Sequence, residues 1–169
     1  GAGDAFGMTL TNDTTLTWNW TTNYDLSIST YSNGSVDVSS GWKPLGTNIV
    51  ITATPERNYH FAGWSGDVTG ITGTTNDLSI TVPMDAARTL LASFEIDTHD
   101  LTIASAQGST PSPGGYTYDY GTSISNFVST PQVDAGTQYV SLGWTMTEDP
   151  TSGAGDAFGM TLTNDTTLT

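Results

Sequence analysis

The sequence predicts an all-β protein with little or no helix, made of small modules in series. Three observations carry this. Apolar and polar residues alternate with a period of two along most of the chain, clusters of turn-forming residues punctuate the alternation, and parts of the sequence repeat. No eleven-residue window holds a convincing 3.6-residue period. MDAARTLLASF (84–94) comes nearest and ends in alternation, so at most one short helical turn is expected.

Taken in order, DLSISTYS (25–32), SVDVSS (35–40), NIVITATP (48–55), DLSITVP (77–83) and TLLASFEI (89–96) read as strands. Further on, DLTIAS (100–105), SISNFVSTP (123–131) and TQYVSLGW (137–144) come next, then AFGMTLT and TLTWNW. Turns are expected at SNGS (32–35), GWKPLG (41–46), PERN (55–58) and SPGG (112–115), where Gly, Pro, Asn and Ser supply turn geometry.

The longest repeat sets the organisation. GAGDAFGMTLTNDTTLT opens the chain at residue 1 and returns unchanged at 153–169, an offset of 152 residues. The simplest reading is one period of a longer array plus the start of the next copy. The alternative is that neighbouring subunits use the two ends as equivalent strands, one lent and one kept. A weaker repeat lies inside the period. YDLSISTYSNGSV at 24 parallels HDLTIASAQGSTP at 99, and FAGWSGD (61–67) parallels VSLGWTM (140–146). The expected domains are therefore 1–22, the C-terminal strands of a module begun in a preceding repeat; 24–96, a complete module; and 99–169, a diverged module truncated before its last strand. Each complete module has about 75 residues, near the lower end for independent folding, so contacts between neighbours gain value.

The order Y-x-L-x-I, N-G-S-V, G-T-N-I-V-I-T-A-T-P, Y-H-F-A-G-W-S-G-D, V-P-M-D-A and A-S-F resembles the internalin-type B-repeat family, small repeat modules of bacterial surface proteins. The resemblance covers 24–96, and ITATPERNYHFAGWSGD (51–67) is its most specific part. The second module departs from it, with GWTMTED at 143–149. The resemblance implies a β-grasp-like topology, a role as extracellular spacer or adhesive stalk, and no catalytic residues to transfer.

Composition narrows the partners. Three basic residues, Lys43, Arg57 and Arg88, stand against 17 acidic ones, for a net charge of −14. Nucleic-acid binding needs a basic patch and is excluded, and anionic membrane surfaces, which attract basic segments, are disfavoured as partners. No apolar run approaches the ~18 residues of a membrane span, and no signal peptide is expected in an interior fragment. Cysteine is absent, so stability must come from packing or assembly rather than disulfides. Serine and threonine make up roughly three residues in ten, well above ordinary usage. The acidic skew and scarcity of lysine fit an extracellular or cell-surface bacterial protein.

The aromatic residues divide into core and contact candidates. Trp64 and Trp144 each follow a glycine at matching positions, which predicts core packing. Gly63 and Gly143 then let the backbone pass close or take positive φ. Trp18 and Trp20 share one face of a strand and align with Phe94 and Ile96 of the sister module, so Trp18, Trp20 and Phe94 are also assigned to core or module-junction packing. Trp42, in a predicted turn, is the candidate exposed contact.

Chemistry is sparsely signalled. GWSGD (63–67) departs from the G-x-S-x-G nucleophile elbow by placing Asp67 where the last glycine belongs. His60 and His99 are the only histidines, with no partner at useful sequence spacing. The glutamates Glu56, Glu95 and Glu148 form no evident acid/base pair. No enzyme is expected. Calcium is the one cofactor the pattern admits: Asp67, Asn76 and Asp77 bracket the glycine-rich loop GDVTGITGTTND, although the spacing is not that of a known calcium loop, and turn formation explains the same residues. GDAFG and TEDP are weaker calcium candidates.

Glycosylation has clearer signals. Asn12, Asn19, Asn33 and Asn164 head Asn-x-Ser/Thr sequons. Asp13-Thr14-Thr15 and Asp165-Thr166-Thr167 resemble a bacterial O-glycosylation acceptor, with Thr14, Thr15 and Thr166 as attachment points. A polar turn is the competing reading. A lysine-based isopeptide crosslink is excluded as a general device, because the second module contains no lysine.

These observations predict a structural, non-enzymatic protein whose partners are copies of itself: one 152-residue period of an extracellular tandem-repeat fibre or giant surface adhesin, in a cell-surface or biofilm matrix. The alternatives are a carbohydrate- or cell-binding adhesin module using Trp42, and a polymer of separate subunits joined by strand complementation through residues 1–22.

Overall fold

The computed structural model describes residues 7–9, 11–147 and 152–169. Every regular element among them is a strand. The expected helical turn at 84–94 is absent. Met84 is buried at the entry to a strand, and alternation beyond it places Leu90, Ala92 and Phe94 on one buried face.

The first half contains β1 (Asn23–Thr30), β2 (Gly34–Val36), β3 (Gly41–Pro44), β4 (Asn48–Pro55), β5 (Tyr59–Gly66), β6 (Ser79–Pro83) and β7 (Arg88–Ile96). One sheet runs β3-β1-β7-β5, and a smaller one runs β2-β4-β6. The inward residues of both sheets, including Leu26, Ile51, Ile80, Val82 and Leu90, form one closed cluster with Trp64 and Phe94. Each such aliphatic side chain contributes about 1.5–3 kcal/mol by leaving water. Strands β1 and β7 pair in parallel from Leu26 opposite Arg88 to Thr30 opposite Ala92, whereas β1–β3 and β5–β7 are antiparallel. The first and last strands of the module are thus neighbours at the centre of a mixed sheet. The layer across it is made of strands.

One expected turn is corrected and one strand was not foreseen. GWKPLG turns only at its end, since Gly41–Pro44 is an edge strand paired with β1. Proline sits there at no cost because an edge strand leaves one row of N–H groups unpaired. YHFAGWSG also forms a full strand, β5, with an irregularity between Phe61 and Gly63. That bulge interrupts the alternation that would have revealed it.

The second half contains β8 (Thr98–Ile103), β9 (Gly114–Asp119), β10 (Ser123–Phe127), β11 (Gln132–Asp134), β12 (Thr137–Tyr139), β13 (Trp144–Thr145), β14 (Ser152–Gly153), β15 (Ala157–Thr161) and β16 (Thr166–Leu168). Its core is separate and smaller: Leu101, Ile103, Ile124, Met146, Phe158, Leu162 and Leu168. The pairing plan repeats that of the first half. β8 joins β16 in parallel with Leu101 opposite Thr166 and Ile103 opposite Leu168, as β1 joins β7 with Leu26 opposite Arg88 and Ile28 opposite Leu90. The β10–β15 pair answers to β4–β6. Buried Leu162 exchanges backbone hydrogen bonds with Gly121 and Thr122, as buried Met84 does with Gly46 and Thr47.

The two copies of the seventeen-residue repeat have different environments. In the second, Phe158, Leu162, Thr166 and Leu168 are buried, and Ala157–Thr161 and Thr166–Leu168 are strands. In the first, every described residue from Gly7 to Thr22 is exposed and none lies in a strand. The strand expected at TLTWNW is therefore absent at 15–20. Of the first-copy stretch AFGMTLT, Ala5, Phe6 and Leu10 lie outside the described set, and Gly7, Met8, Thr9 and Thr11 are not in a strand. Identical sequence differs in structure here because β16 finds β8 as a neighbour, while the central place beside β1 is already filled by β7.

Candidate functional site

The GW motif is a structural joint in both halves. Trp64 is 4% exposed; its indole N–H donates to the Asp77 carbonyl (2.9 Å), and its ring meets Phe61 at 5.4 Å between centroids. Its backbone N–H donates to the Thr75 carbonyl at 2.7 Å. Gly63 (φ 143°) and Gly143 (φ 131°) both take the positive φ expected of them, each beside a crossing backbone carbonyl, Thr75 O and Gly153 O. Trp144 is only half-buried, its ring 5.1 Å from Phe158 and over Gly153.

In the loop after Trp64 the acidic side chains accept backbone hydrogen bonds. The Asp67 carboxylate accepts from Thr89 N–H (2.8 Å), and the Asp77 carboxylate accepts from Thr74 N–H (2.7 Å). In the second half Thr147, a neutral residue, takes the Asp67 role, its hydroxyl accepting from Thr167 N–H at 3.0 Å. The acidic side chains close the loop, and the described residues contain no group of three or more His, Cys, Asp or Glu able to hold a metal ion. Turn formation through side-chain-to-backbone hydrogen bonds accounts for Asp67 and Asp77; calcium at Asp67, Asn76 and Asp77 stays an expectation. Of TEDP, Glu148, Asp149 and Pro150 lie outside the described set, as does most of GDAFG in its first copy. Arg88 braces the same loop from beneath, donating to the Thr69 carbonyl (2.8 Å) and pairing with Asp85 (2.6 Å).

Each histidine has an aspartate neighbour that sequence spacing did not reveal. His60 Nδ1 lies 3.0 Å from Asp97, and His99 Nδ1 lies 3.2 Å from Asp165. The latter pair closes the second module, since Asp165 also accepts the backbone N–H of Asp100 at 3.0 Å. That backbone hydrogen bond, then the hydrogen bond and charge of His99, hold the Asp165 carboxyl below its ordinary value of 3.8.

Of the glycosylation candidates, Asn12, Thr14, Thr15, Asn19 and Asn164 are exposed and Asn33 is half-buried with positive φ. Thr166 is corrected: it is 5% exposed and opens β16 with its hydroxyl on Thr147 (3.2 Å), so the folded module leaves no room for a glycan there.

Two tryptophans assigned to the core are also corrected. Trp18 and Trp20 are 54% and 90% exposed. The predicted alignment shifts as well. With Leu168 in the place of Leu90, Trp18 and Trp20 correspond to Ala92 and Phe94. Trp42, on the edge strand β3, is 73% exposed.

A concave surface lies at the end of β16, a groove of about 710 Å³ between Ile103, Val128, Val140, Trp144, Phe158 and Leu168. In the first half the corresponding space is filled by the last five residues of β7, where Phe94 packs edge-on against Phe61 (5.8 Å) and over Gly34. In the second half Thr169 exchanges two backbone hydrogen bonds with Thr145. Thr137–Tyr139 turns aside to pair with Gln132–Asp134, and Leu142 is left 94% exposed.

Two β-cores share one pairing plan, with a glycine–tryptophan joint in each. Residues 24–98 match the family described as the divergent InlB B-repeat domain, and the first module belongs to that family. Domains of this type occur on bacterial surface proteins and are a surface repeat rather than a known enzyme class. Searches among curated proteins and among solved structures found no match.

Proposed function

We propose that the chain is one 152-residue period of an extracellular tandem-repeat fibre or giant surface adhesin, and that its task is mechanical and spacing rather than catalytic. The observation that carries this is the unchanged seventeen-residue repeat at 1–17 and 153–169, joined to the family membership of 24–98. Strict identity at a fixed offset presents identical surfaces at identical spacing, and a head-to-tail contact of that kind propagates without closing. The acidic, hydroxyl-rich composition fits a surface exposed to solvent and without affinity for nucleic acid. The partners are other copies of the same module.

The test is the size of the native material. An antibody raised against this chain is used on surface extracts boiled in SDS, before and after limited proteolysis. The expected result is a chain far larger than 17.8 kDa that breaks into a ladder stepping by one period. A single species near one period, confined to the cell interior, overturns the proposal.

A further inference from the structure

We infer that the outer face of β1 and β3 in the first module is a binding site for the neutral hexose units of a polysaccharide. The inference goes beyond the mechanical role proposed above and does not depend on how copies of the chain are joined.

Strand alternation builds the site from two short rows. On β3, Trp42 and Pro44 are exposed on the outer face, while Gly41 and Lys43 turn to the other. On β1, Asn23 and Asp25 are exposed on that same outer face, while Tyr24 and Leu26 turn to the core. The register sets Asp25 opposite Trp42 and Asn23 opposite Pro44. Residues directly opposite each other in an antiparallel pair have Cβ atoms about 4.5–5.5 Å apart. An apolar row of one indole and one pyrrolidine ring therefore runs beside a polar row of one carboxylate and one amide. A hexopyranose has the same two parts, a face of C–H bonds and a rim of hydroxyl groups. The indole takes the C–H face, the Asp25 carboxylate accepts from hydroxyl groups, and the Asn23 amide both donates and accepts.

The second module shows that the fold does not require these groups. There Asp100 stands opposite Thr117 just before buried Leu101, as Asp25 stands opposite Trp42 just before buried Leu26. The Thr117 hydroxyl donates to the Asp100 carboxylate at 2.6 Å and occupies it. Trp42 offers no hydroxyl, and among the described residues the Asp25 carboxylate and the Asn23 amide enter no hydrogen bond or ion pair. The same comparison shows that the face stays open when modules stand in series. Thr98, Asp100, Thr117 and Asp119 hold the four equivalent positions, and all are exposed although a complete module precedes them.

Charge selects the class of glycan. Lys43 lies on the opposite face, Arg88 is engaged beneath the 67–77 loop, and the chain carries a net charge of −14. Sulfated and uronic-acid polymers are repelled by that field, and neutral ones are not. In a tandem array the site recurs once per period, so weak binding at each copy adds up along one polysaccharide strand.

The test is affinity electrophoresis of the full 169-residue chain in native gels cast with galactomannan, xyloglucan, laminarin or yeast mannan, and in gels cast with alginate or chondroitin sulfate. Retardation is expected with at least one of the neutral polymers and with neither acidic one. Trp42→Ala and Asp25→Ala are each expected to lower the affinity at least about tenfold. Both residues are exposed, so the variants keep their fold, which circular dichroism checks. Trp20→Ala removes a tryptophan that is still more exposed, and it is expected to leave the retardation unchanged. Amide shifts in nuclear magnetic resonance spectra, on adding an oligosaccharide of the retarding polymer, are expected to cluster at 23–27 and 40–45. Free migration in all four neutral gels overturns the inference, as do retardation by the acidic gels alone, retention of binding by Trp42→Ala, and an equal loss with Trp20→Ala. None of these outcomes bears on the size test of the surface material.

Discussion

Substituting Trp64 by alanine should unfold one half of the molecule and spare the other. Trp64 is 4% exposed and sits where β5, β7 and the 67–77 loop meet. Truncating a buried tryptophan costs about 3–5 kcal/mol, from lost transfer energy and the cavity left behind. A module of about 75 residues has only ~4–11 kcal/mol in total. At about 4–8 °C per kcal/mol for domains of this size, the first-module transition should fall by at least about 12 °C. The separate cores make this measurable by differential scanning calorimetry, where the second-module transition should stay in place. Trp144→Ala provides the contrast. Its ring is half-buried at the rim of the groove, so it should cost roughly half as much, about 2 kcal/mol, and move only the second transition. Equal costs for the two substitutions, or a joint shift of both transitions by either one, would refute the idea of two independent cores of unequal closure.

The same geometry makes three further outcomes testable. Gly66→Ala should destabilise the first module strongly, since φ is +95° and an added methyl group runs into the Thr89 carbonyl oxygen; urea melts read by tryptophan fluorescence give the size of the loss. Arg88→Ala should release the 67–77 loop from beneath, seen as new proteolytic cleavage there with β1 and β4 still protected from hydrogen exchange. The lowered pKa of Asp165 gives the second module stability that is present above pH 3.8 and lost as the pH falls through the still lower folded value; Asp165→Asn should remove this acid dependence, and an unchanged acid melt would contradict it.

Much of the fold could be read from the sequence because alternation survives intact in β4, β7 and β10. NIVITATP is one strand from Asn48 to Pro55, and its turn at PERN is where Asn58 takes φ 66°. The features that escaped sequence reading have local causes. The bulge after Phe61 breaks the period in β5, and the glycine and proline of β3 resemble a turn until β1 is placed beside them. Trp42 kept its predicted exposure but on a strand edge. The assignments of Trp18, Trp20 and Thr166 depended on which neighbour each copy of the repeat finds. Strand pairing between distant residues decides that, and no local window contains it. The His99–Asp165 contact is of the same kind, its partners lying 66 residues apart.

The parallel pairing of first and last strands has a mechanical consequence. When a chain is pulled from its two ends, the load enters the first module at Asn23 and leaves at Ile96. Because β1 and β7 run in the same direction, the force acts along the strands, and their hydrogen bonds are strained together in shear rather than peeled one by one. Rupture then needs the five register pairs from Leu26–Arg88 to Thr30–Ala92 to give way at nearly the same moment. The second module repeats the parallel pairing, from Thr166–Leu101 to Leu168–Ile103. Under tension the rate at which such a clamp opens, rather than its equilibrium stability, sets how the chain extends.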